Sequence, residues 1–151
     1  MTTDSQQEIL LEQYKLYVQL ADNVSARRID AGKFYITLLS ALLAVIPFAV
    51  DQNTPPGIRR LVFLLIGFLG VVLCVIWIVN IRSYKQLNAL KFQVIQEMEQ
   101  KLPFASYARE WEILDEERER FSYRRLSKVE QYVPALLIIP YVILLLLSLF
   151  G

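Results

Sequence analysis

The densest run of ionisable side chains is Asp115-Glu116-Glu117-Arg118-Glu119-Arg120. Carboxylates can hold a cation or move a proton, but a metal site needs several of them to converge with other ligands. Acids interleaved with arginines read instead as a solvated helix face with local ion pairs. Histidine is absent from all 151 residues, which removes the commonest general base and the commonest metal ligand together. Cys74 is the single cysteine, so no internal disulfide can form. The glycines, Gly32, Gly57, Gly67, Gly70 and Gly151, build no phosphate cradle, and no nucleophile elbow or paired-cysteine motif occurs. With a net charge of only +1 and bases spread among acids, nucleic-acid binding has little support. These residues point away from an enzyme and imply no catalytic residue, cofactor or metal.

The elements that carry the residues explain why. Three blocks hold no charged side chain: Phe34 to Val50, Leu61 to Ile81 and Tyr132 to Phe150. A helix rises about 1.5 Å per residue, so roughly 20 residues cross a hydrocarbon core of about 30 Å. The second and third blocks have that length. The first is short and can be completed by Lys33, whose stem lies along apolar surface while its ammonium stays at the interface. It begins after 33 residues that include an amphipathic stretch, and so does not read as a cleaved leader. The fold class expected is an all-α integral membrane protein with three transmembrane helices and amphipathic cytoplasmic helices.

Lysines and arginines near the spans set the orientation. Fourteen lie before the first span or between the second and third, against two, Arg59 and Arg60, in the 51–60 loop. The amino terminus and residues 82–131 are therefore expected in the cytoplasm, with the 51–60 loop and the carboxyl terminus outside, in a bacterial inner membrane. Asn53-Thr54-Pro55-Pro56-Gly57 supplies turn chemistry for the hairpin between the first two spans.

The 83 residues of 1–33 and 82–131 are expected to be helical. Ser5-Gln6-Gln7-Glu8 reads as a capping box. Leu10, Tyr14, Tyr17, Ala21 and Val24 follow at spacings of four and three, the period of a seam against another helix. The second span meets no proline or glycine until Pro103, so one helix from about Arg60 to Lys101 is expected. Leu87, Leu90, Val94, Met98 and Leu102 form its apolar stripe, and Lys85, Lys91, Gln96, Glu97 and Glu99 its polar surface. The two stripes are expected to pack together; lying on the membrane surface is the alternative. Ser127-Lys128-Val129-Glu130 reads as a second capping box opening the third span. Arg124, Arg125 and Lys128 beside it can touch anionic headgroups, although plain positive-inside anchoring explains them as well.

Small residues line two spans: Thr37, Ser40, Ala41 and Ala44 on the first, and Gly67, Gly70 and Cys74 on the second. Such stripes let helix backbones approach closely, within a chain or between copies, and a homo-oligomer is expected. A charged collar of Arg27, Arg28, Asp30, Arg82, Lys85 and Lys91 falls where the cytoplasmic helices meet the membrane, a position for interface pairing or headgroup contact.

Several segments then look familiar in their order. Tyr14-Lys15-Leu16-Tyr17-Val18 leads into Ala21-Asp22-Asn23-Val24-Ser25-Ala26-Arg27-Arg28. Arg82 to Phe92, with Asn88 inside it, follows the second span. Leu102-Pro103, Tyr107 and Glu110-Trp111 come next, and Ser127, Glu130 and Val133-Pro134 lead into the third. This arrangement resembles the RipA family of octameric bacterial membrane proteins, and it covers most of the chain. The resemblance implies a cytoplasmic-membrane protein assembled as an octamer, with no assigned biochemical activity. Two functions then compete. One is a membrane scaffold that binds lipids, itself and a cytoplasmic protein partner. Its candidate interface residues are Tyr14, Tyr17, Arg27, Arg28, Asp30, Arg82, Lys85, Asn88, Lys91 and Trp111. The other is an oligomeric pore or gated channel, in the manner of a bacterial stress or defence effector, with Thr37, Ser40 and Asn80 facing a lumen.

Overall fold

The computed structural model describes residues 3–51, 53–116 and 126–150, with side chains at 5–51, 53–113 and 132–150. Five helices account for nearly all of them: α1 Thr3–Ala44, α2 Ile46–Ala49, α3 Pro56–Glu99, α4 Ser106–Glu116 and α5 Leu126–Phe150. There is no strand among the described residues. Three stretches, Ser5–Ala49, Pro56–Glu99 and Tyr132–Phe150, contain helix long and apolar enough to cross a membrane. The chain divides into two compact units, one of Met1–Arg28 with Ser83–Arg125 and one of Ile29–Arg82 with Leu126–Gly151.

Helix ends follow the local chemistry. α1 already includes Thr3, so Ser5 lies inside the helix and does not open it, as the capping-box reading had it. The helix breaks at Val45, two residues before Pro47, which has no amide to offer the Leu43 carbonyl. α2 is a single turn beyond that break. In the following turn the Asp51 amide donates to Thr54 Oγ1 at 2.8 Å and the Thr54 amide to the Asp51 carbonyl at 3.0 Å. Pro56 then occupies the first position of α3, where a missing N–H costs nothing. α3 runs unbroken for 44 residues, so the second span and the segment after it are one helix, ending four residues before Pro103. The second capping box and the bases Arg124, Arg125 and Lys128 lie outside the described side chains, as does the whole acidic run.

The core of the span unit is Leu39, Ile66, Cys74, Trp77, Ile81, Tyr141 and Leu144. Its closest fit is between α3 and α5. A methyl group added at Gly70 would overlap the Tyr141 ring, and one at Gly67 would come within 2.9 Å of both Leu145 Cγ and the Tyr141 carbonyl. Only glycine lets the two backbones approach so closely. The Gly67–Gly70–Cys74 stripe is thus spent inside the chain. Tyr141 is fully buried, and its hydroxyl donates to the Leu39 carbonyl of α1 at 2.6 Å. One side chain therefore ties all three spans. Trp77 stacks on Tyr35, centroids 5.6 Å apart, and closes the α1–α3 side. By contrast Thr37, Ser40, Ala41 and Ala44 are exposed, so the α1 stripe faces away from its own chain.

Tyr141→Phe keeps the ring in its notch and removes only the hydroxyl. The expected cost is about 0.5–2 kcal/mol, read as a lower unfolding midpoint in detergent with helix content unchanged.

Candidate functional site

In the unit of Met1–Arg28 and Ser83–Arg125, α1 and α3 run antiparallel and pack through the α1 seam named by the sequence. Ala21 is buried, and Leu10, Tyr14, Tyr17 and Val24 are half-buried. The α3 face differs from the expected one. Leu87 and Leu90 are 44% and 59% exposed, whereas Ile95 and Glu99 are buried. The contact face centres on Asn88, Lys91, Phe92, Ile95 and Glu99, and of the expected stripe only Val94, Met98 and Leu102 are half-buried. The reason is on α1: two tyrosines in the seam present hydroxyls and ring faces that need polar partners, and these draw Glu99 and Lys91 inward.

Glu99, 1% exposed, is the only buried charged side chain among the described residues. The sequence reading put it on the polar surface, and the structure overturns that. The Tyr14 hydroxyl donates to Glu99 Oε1 at 2.9 Å, the Tyr107 amide to the same oxygen at 2.9 Å, and the Ala108 amide to Oε2 at 3.2 Å. Tyr107 and Ala108 lie in the first turn of α4, where backbone amides have no helical acceptor. Ala105, just before α4, has no side-chain oxygen to cap them. A carboxylate from the end of α3 does so instead, favoured by the positive end of the α4 dipole. Three helices thus meet at one carboxyl group. No spacing rule signals it, because cap and capped amides are eight and nine residues apart.

Burial, followed by the hydrogen bond to Glu99 and its negative charge, pushes the Tyr14 phenol up to about 12. Tyr107 is also raised, by burial first and then by Asp22, Glu110 and Glu99. Its ring packs edge-on against Phe92, centroids 5.6 Å apart. The Lys91 ammonium lies 5.6 Å from the centroid of the Tyr17 ring, a cation–π contact. Asn88 Nδ2 donates to Ser25 Oγ at 3.2 Å, while Asn88 Oδ1 is buried without a hydrogen-bond partner.

The remaining sequence candidates are more open. Arg27, Asp30, Arg82 and Lys85 are exposed, and Arg28 is half-buried. Asp30 pairs with Lys33 at 3.2 Å on its own helix, both largely in solvent, a contact worth little. Trp111 is 45% exposed on α4. Thr37 and Ser40 are exposed and Asn80 is half-buried. No group of three or more acids or cysteines that could hold a metal occurs among the described residues.

The fold and its junctions define a class: an all-α membrane protein whose buried polar groups hold helices together. The family-level comparison agrees. The chain matches the model of the Octameric membrane protein family (8xMP) over residues 11–150, and it belongs to that family. The family's description names an assembly and no reaction. No curated protein and no solved structure matches the chain.

Removing the Glu99 carboxylate tests the junction. Glu99→Ala is expected to cost roughly 2 kcal/mol or more, as a lost cap plus a lost charged hydrogen bond, and to speed amide exchange at Tyr107 and Ala108. Glu99→Gln, which keeps one acceptor oxygen, falls between it and wild type. Because the fold raises the Tyr14 pKa above the ordinary 10, it favours the neutral phenol. That contribution is fully present below about pH 10 and is lost as pH rises through about 12. In Tyr14→Phe this part of the alkaline loss should vanish from the stability–pH curve.

Proposed function

We propose that this chain is a non-enzymatic, octameric inner-membrane scaffold that presents its cytoplasmic helices to a protein partner. The amino terminus and the segment between the second and third spans face the cytoplasm, and the carboxyl terminus faces outward. The observation that carries this reading is the Glu99 junction. The only buried charged side chain among the described residues is spent on one phenol and two helix-end amides, an arrangement suited to rigidity rather than turnover. Family membership supports the oligomer, and the exposed Thr37–Ser40–Ala41–Ala44 stripe leaves a close-packing surface for neighbours. Arg27, Arg82 and Lys85, exposed and next to the spans, meet anionic headgroups at the cytoplasmic face.

Native mass measurement of the membrane-extracted chain is the test. A discrete species of eight copies is expected across a dilution series. A monomer at every concentration in lipid-containing detergent would rule the assembly out.

The exposed Thr37 and Ser40 hydroxyls favour a second reading, in which copies surround a water-filled path. Liposomes holding the purified protein should then pass ions, and Thr37→Leu with Ser40→Leu should reduce the flux several-fold. Vesicles that stay sealed while containing intact oligomer would exclude it.

A further inference from the structure

We draw no further inference here: the strongest candidate, the exposed apolar surface of Ile9, Leu16 and Leu20 on α1 and of Leu87 and Leu90 on α3 in the unit of Met1–Arg28 and Ser83–Arg125, carries nothing, because nothing in the structure shows what covers it.

Discussion

Tyr141 sits where two glycines let one helix press onto another, and the packing of the spans depends on that fit. In hydrocarbon the hydrophobic effect gives helices no reason to associate, since lipid is as apolar as leucine. Close contact, hydrogen bonds and shape must do the work. The Gly67–Gly70 notch supplies the contact, and the Tyr141 hydroxyl on the Leu39 carbonyl supplies the hydrogen bond. Pro140 stands immediately before Tyr141 inside α5. A proline there removes an amide donor and permits a local bend at the place where the helix meets its partner. Most of the remaining span surface is exposed aliphatic and aromatic side chain, suited to lipid.

The same economy appears in the other unit, with different chemistry. A buried carboxylate without partners would be severely costly. Glu99 is tolerated because a phenol and two helix-end amides surround it. Removing either partner set leaves the buried carboxylate short of hydrogen bonds, so α1, α3 and α4 are held as one piece. A rigid mount of this kind suits a chain whose distinguishing property is how it meets other chains.

Much of this was legible in the residues alone. Three uncharged blocks in so short a chain announced the membrane helices, and the missing proline or glycine before Pro103 announced the long α3. The Leu10–Val24 seam was visible from its spacing. The α3 face was not. Hydrophobic periodicity selected Leu87, Leu90, Val94, Met98 and Leu102, while the fold leaves Leu87 and Leu90 exposed and buries Ile95 and Glu99, because the tyrosines opposite reward polar partners that a hydropathy pattern counts as surface. The small-residue stripes were equally visible, but spacing could not say which one a span of the same chain would occupy. That choice came from the bulk of Tyr141, which fits only over glycine. The Glu99 cap had no local signature because its partners lie across a turn.

The central claim is that small and polar residues here are spent on helix packing. Its most direct test compares one added methyl group at two glycines of α3. At Gly70 a methyl would strike the Tyr141 ring, whereas at Gly57 it would meet nothing within 4 Å. Thermal unfolding of Gly70→Ala should fall well below wild type, by an amount corresponding to about 1–3 kcal/mol. Gly57→Ala should match wild type or slightly exceed it, as alanine favours helix. Equal midpoints for the two variants would contradict the account.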